Sequence, residues 1–128
     1  GDILFLPFAG VRRAGLERSF AHAHGLEPVI GVPKLLQGMY RQELAVWGRW
    51  YDLQAVIDGT LGELSRLVRS RCLEKFDCVF LEQISLDVKS IYQKTKAREG
   101  GEYVVFFANS EQVRSFRMIL AKRKRGNL

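Results

Sequence analysis

Long apolar runs and cysteines are scarce in this 128-residue sequence, and each scarcity excludes something. No apolar run approaches the ~18 residues of a membrane-crossing helix, and the opening GDILFLPFAG has neither the basic start nor the length of a signal peptide. The expectation is a soluble, intracellular chain with no membrane partner. Cys72 and Cys78 flank an expected helix-to-strand joint, and a single pair without a secretion signal predicts reduced core thiols rather than a disulfide. The absence of a Gly-x-Ser-x-Gly elbow excludes an α/β-hydrolase. No HExxH or Cys/His ligand spacing occurs, and His22 and His24 point about 200° apart on a helix, so no metal site is expected. Repeats, low-complexity tracts and linkers are also missing. One domain over 1–128 is therefore expected, with a basic tail at 122–128.

What is present is the composition of a folding chain, 47% hydrophobic and 27% charged. At this length a domain buries about two-thirds of its unfolded surface without staples. Short apolar runs alternate with longer amphipathic ones, the grammar of an α/β fold. Ile3–Phe8 reads as a strand closed by Ala9-Gly10, residues 11–24 as a helix ended by Gly25, and 28–32 as a second strand. From Lys34 to about Ile57 the residues Leu36, Tyr40, Leu44, Trp47 and Tyr51 recur at helical spacing and predict a long helix, weakened at Gly38 and Gly48. Asp58-Gly59 reads as a turn, and Thr60-Leu61-Gly62-Glu63 matches a capping box opening a helix. The remainder reads as strand 77–83, helix 86–98, strand 102–108 and a helix from 110 to about 124, with N-caps at Ser85 and at Asn109 or Ser110. Within those strands the runs Cys78–Leu81 and Tyr103–Phe107 are apolar throughout, as strands covered on two faces must be. The order β-α-β-α-α-β-α-β-α predicts a three-layer α/β fold with about four mostly parallel strands between helices, joined by right-handed crossovers.

A sheet of that kind binds ligands outside the carboxyl ends of its strands, where loops 7–13, 31–34, 82–85 and 109–111 are expected to converge. Gly10, Arg12 and Arg13 at a helix N-terminus, with Lys34, make a candidate anion site, although the spacing matches neither the dinucleotide nor the Walker fingerprint. Glu82 with Asp77 and Asp87 has the residue types of a metal-binding carboxylate group, but an acid in a helix first turn, such as Asp87, is favoured there without a metal. Trp47, Trp50, Tyr40 and Tyr51 could stack on bases, but their helical stripe makes most of them core. No catalytic residue is assigned, and no cofactor is expected.

Charge carries the functional signal. Residues 1–64 hold 6 basic and 7 acidic side chains (net −1), whereas residues 65–128 hold 14 and 7 (net +7). On the expected last helix Arg114, Arg117, Lys124 and Arg125 fall within a sector of about 100°, beside the apolar stripe of Val113, Phe116, Ile119 and Leu120. Lys122 lies in the same acid-free segment, and Lys89, Lys94, Lys96 and Arg98 form a second cluster on the preceding helix. Merged, these faces predict a nucleic-acid-binding module that contacts RNA or DNA phosphates through Lys89, Lys96, Arg114, Arg117, Lys122, Lys124 and Arg125. An enzyme taking a nucleotide or phosphorylated ligand at the strand ends is the alternative. A protein-interaction domain of a larger complex, using the 34–57 stripe, is the second. The basic tail also fits a nuclear-import address.

Glu102–Ser110, EYVVFFANS, followed by 111–123, resembles the strand and helix that open the second RecA-like domain of superfamily 2 helicases, over about a sixth of the chain. Here the segment ends the chain and no arginine-rich motif follows it, so the likeness is one of strand-helix grammar and assigns no family.

Overall fold

The structure, a computed structural model, describes residues 3–13 and 15–124. The chain divides into two compact units, residues 1–53 with 122–128 and residues 54–121.

The first unit contains β1 (Ile3–Pro7), α1 (Ala9–Arg13), α2 (Glu17–His24), β2 (Glu27–Val29), β3 (Val32–Gln37), a short 3-10 helix (Gln42–Val46) and the first half of β4 (Gly48–Gly59). Its strand order is β2-β3-β1-β4, antiparallel throughout. Phe5 on central β1 is paired with Leu36 on one side and Trp50 on the other, and all three are fully buried. Its ring stacks on Phe20 of α2 at 5.6 Å and tilts against Trp50 at 4.8 Å, so the strand ladder and the helix share one aromatic core. Helix α2 stops where Gly25 enters the left-handed region at φ 69 and the Leu26 N–H turns back to the Ala21 carbonyl at 2.8 Å. Gly48 is required for a different reason: a Cβ there would strike the Leu6 carbonyl oxygen and lie 2.6 Å from Phe5 Cζ.

The second unit holds the rest of β4, α3 (Leu61–Ser70), β5 (Asp77–Phe80), α4 (Val88–Thr95), β6 (Tyr103–Asn109) and all of β7 (Phe116–Arg123) but its last two residues, in the strand order β4-β7-β6-β5. β5 and β6 are parallel, in register from Asp77 with Val104 to Phe80 with Phe107, and α4 connects them. β6 and β7 are neighbours joined by residues 110–115, a connection too short for anything but a hairpin. Leu64 and Val68 of α3 and Ile91 of α4 pack with Phe76, Val105, Phe107, Met118 and Leu120. Each such large side chain contributes roughly 1.5–3 kcal/mol by leaving water. Asp87 caps α4 by accepting the Ser90 N–H at 2.8 Å, and the helix ends at Lys96 with φ 63.

Two expected helices are strands, and this corrects the fold. The described residues form seven strands in a mixed arrangement with one parallel pair, instead of about four mostly parallel strands in three layers. The 34–57 stripe is split among β3, the 3-10 helix and β4, because its spacing is carried across element boundaries after Gln37 and before Gly48. The 110–124 helix is a hairpin turn followed by β7. Met118, Ile119, Leu120 and Ala121 are all buried, as in a strand covered on both faces, and a short run of that kind has no helical period to measure. The 11–24 helix is broken into α1 and α2, with Gly15 at φ 68 between them, and the second strand is a hairpin turning at Ile30-Gly31. Thr60 does occupy the N-cap of α3, but its side chain makes no capping bond. Both cysteines are free; Cys72 is exposed and Cys78 half-buried, so neither is a fully buried core thiol.

Candidate functional site

The parallel pair sets the geometry. β5 and β6 finish side by side at Phe80 and Asn109, and the loop leaving β5 is pinned against the end of β6. Leu81 donates its N–H to the Phe107 carbonyl at 3.0 Å. Glu82 accepts the Asn109 N–H at 2.7 Å, and Asn109 Nδ2 donates to the Gln83 carbonyl at 3.3 Å. The β6–β7 turn is held by its own polar groups, with Ser110 Oγ accepting the Gln112 N–H at 3.3 Å and the Gln112 carbonyl accepting the Ser115 N–H at 3.3 Å.

Between these loops lies a cleft of about 570 Å³, lined by Ser85, Asn109, Ser110, Gln112, Val113, Arg114, Ser115 and Phe116. Its lining residues carry hydroxyls, amides and one guanidinium, and the Glu82 carboxylate sits beside them on the Asn109 N–H. Hydroxyl, amide and guanidinium groups can each donate to an anion. Arg114 enters with φ 64, a left-handed backbone that costs a side-chain-bearing residue about 1–2 kcal/mol and that glycine adopts freely. Strain of this kind gathers at ligand clamps.

Of the four loops expected to converge, 82–85 and 109–111 do so. In the first unit the anion candidates separate. Gly10 lies in α1, where its surroundings are open. Arg12 turns back to donate from Nε to the Pro7 carbonyl at 3.0 Å. Lys34 lines a different cleft with Gly15, Glu17, Arg18, Ser19 and Pro28. The side chain of Arg13 lies outside the described ones.

The residues expected to read phosphates are dispersed. Lys89 is exposed on α4, and Lys96 is the left-handed cap of that helix. Arg114 is in the turn, while Arg117 on β7 is bound to Asp58 through two hydrogen bonds of 2.8 Å. Lys122 and Arg123 belong to β7, and Lys124 lies 3.4 Å from Asp52 and 5.0 Å from the Tyr40 ring, so the expected tail is built into the fold up to that point. Arg125 lies outside the described residues. Because the last helix does not exist, the cationic helical face assigned to nucleic acid is not formed.

The carboxylates singled out in the sequence are likewise engaged. Asp77 accepts the Gly100 N–H at 2.9 Å, Asp87 caps α4, and Glu82 holds Asn109. Hydrogen bonding from Arg117 holds the Asp58 carboxyl below the usual range. Burial pushes the Cys78 thiol up to about 11 and the Tyr92 hydroxyl upward as well; the latter donates to the Phe76 carbonyl at 2.6 Å. A thiol so shifted stays protonated and is a poor nucleophile. Gln112 and Ser115 escaped the sequence reading, although a polar segment between two apolar runs is a hairpin signal.

No family model matches the sequence, and no curated protein does. Among solved structures the chain is similar to a protein from Porphyromonas gingivalis W83 described as a "putative methyltransferase", with a TM-score of 0.70 at 18% identity. The match covers 97% of this chain and 30% of that one, so the chain spans less than a third of its neighbour's length. At this identity the likeness shows a shared fold. Together with the missing last helix it overturns the nucleic-acid reading.

No helix among the described residues is long and apolar enough to cross a membrane.

Proposed function

We propose that the chain is a ligand-recognising part of an enzyme and takes a nucleotide or other phosphorylated ligand in the cleft at the carboxyl ends of β5 and β6. The observation that carries this reading is Arg114, an arginine on left-handed backbone that lines this cleft. Its fork suits two phosphate oxygens, while Ser85, Ser110, Ser115 and Asn109 offer hydroxyl and amide partners to the rest. The cleft lies at the carboxyl ends of the parallel pair β5 and β6. The description of the Porphyromonas gingivalis protein supports an enzyme. Since this chain matches 30% of it, recognition rather than bond-making is the role assigned here. Free Cys72 and Cys78 support an intracellular setting.

Thermal unfolding with ATP, inorganic phosphate, adenosine and S-adenosylmethionine tests the reading. ATP is expected to raise the melting temperature. Adenosine, which lacks phosphate, and S-adenosylmethionine, which bears a sulfonium in its place, are expected to leave it unchanged. Arg114→Ala is expected to abolish the ATP shift. An ATP shift that survives Arg114→Ala, or no shift with either ATP or phosphate, contradicts the assignment.

A further inference from the structure

The register of β1 with β4 runs on one pair past its last strand residues. Pro7 faces Gly48, and Phe8 then donates its N–H to the Trp47 carbonyl at 2.8 Å. Phe8 and Trp47 are thus neighbours through this backbone bond, with Trp47 already out of the extended conformation at φ −109 and ψ −7. Arg49 of β4, paired with Leu6, has its guanidinium carbon 5.0 Å from the Phe8 ring centre. Arg12 reaches the same end of β1 through its bond to the Pro7 carbonyl. Phe8 is 40% exposed, Trp47 52% and Val46 63%, although two of the three are large aromatics of the kind that normally drive burial.

The result is an apolar centre with a cationic rim. Exposed tryptophan and phenylalanine next to arginine are the residue types that concentrate binding energy at protein interfaces. The acid of the adjoining 3-10 helix, Glu43, is paired with Arg41 at 3.8 Å. We propose that this face docks an acidic amphipathic segment of a partner protein, whose apolar side chains cover Phe8, Val46 and Trp47 and whose carboxylates meet Arg12 and Arg49. Charge complementarity selects this occupant: a basic segment meets two guanidinium groups of its own sign, and a purely apolar one leaves them facing no counter-charge. The inference is independent of the β5–β6 cleft.

A fluorescein-labelled peptide of leucine and glutamate at amphipathic helical spacing, titrated with the full chain and followed by anisotropy, tests it. Controls are the same peptide with lysine for glutamate and a scrambled leucine-glutamate sequence. The acidic amphipathic peptide is expected to bind and the controls to fail. Trp47→Ala and Arg49→Glu are each expected to weaken binding at least about tenfold, with unchanged circular dichroism. Equal binding of the lysine or scrambled peptide, no binding of the acidic one, or wild-type binding by both variants overturns the proposal. So does a dimer in sedimentation that Trp47→Ala dissociates, since the occupant is then a second copy of this chain.

Discussion

Arg117 donates from Nε and Nη2 to the two carboxylate oxygens of Asp58, each at 2.8 Å, in a parallel fork that ties β7 to the end of β4. The pair takes Arg117 out of the set of cations expected to read phosphates and gives Asp58 a task that a turn did not require. Both partners remain partly in water, with side-chain exposures of 29% and 45%, so screening keeps the contribution to about 0.5–1 kcal/mol.

That pair predicts a pH dependence. The folded carboxyl of Asp58 titrates below its unfolded value of about 3.9, so the pair stabilises fully above that value and its contribution is lost as pH falls through the lower folded one. Urea unfolding of wild type and Asp58→Asn is expected to show wild type more stable by about 0.5–1 kcal/mol at neutral pH, with the difference closing in acid below the unfolded value. A gap that widens on acidification contradicts the sign.

The replacement of the last helix by a hairpin and strand makes its own prediction. On a helix, Val113 and Ile119 share one apolar stripe; here Val113 is 89% exposed and Ile119 is buried in β7. Val113→Ala is expected to change stability by less than about 0.5 kcal/mol, and Ile119→Ala to cost about 2–5 kcal/mol, both measured by denaturant unfolding. Equal, large losses at both positions restore the helix.

Gly48 offers a sharp steric test. Its missing side chain lets β4 lie against Leu6 and the Phe5 ring, so Gly48→Ala forces a shift in the aromatic core. The expected cost is about 1–3 kcal/mol, read as a lower melting temperature. At Gly10, where nothing lies near, the same substitution is expected to be nearly neutral.

How much of this was legible depended on the period of each segment. The apolar runs of β1, β5 and β6, the start of α3 at Leu61 and the body of α4 were readable because each has a single period and clear punctuation. The segments around β4 and β7 were not. Leu36, Tyr40 and Leu44 happen to step by four while lying in β3, a connecting loop and a 3-10 helix, and Phe116–Ala121 is too short to distinguish a buried strand from a helix. What decided both was pairing with distant strands, which no local pattern encodes. For the site, the convergence of loops 82–85 and 109–111 followed from the parallel pair, which was read correctly. Arg114 was singled out for the wrong reason, as part of a helical face, and its place in the cleft depends on the turn that replaced that helix.

Arg114 therefore carries the central claim, and Arg114→Gly tests it most directly because stability and binding should move in opposite directions. Glycine relieves the left-handed backbone, so the variant is expected to melt higher by the equivalent of about 1 kcal/mol. It is also expected to lose the ATP-induced shift. A variant that gains stability and still responds to ATP as wild type does would show that the strained arginine is no phosphate ligand and would contradict the account.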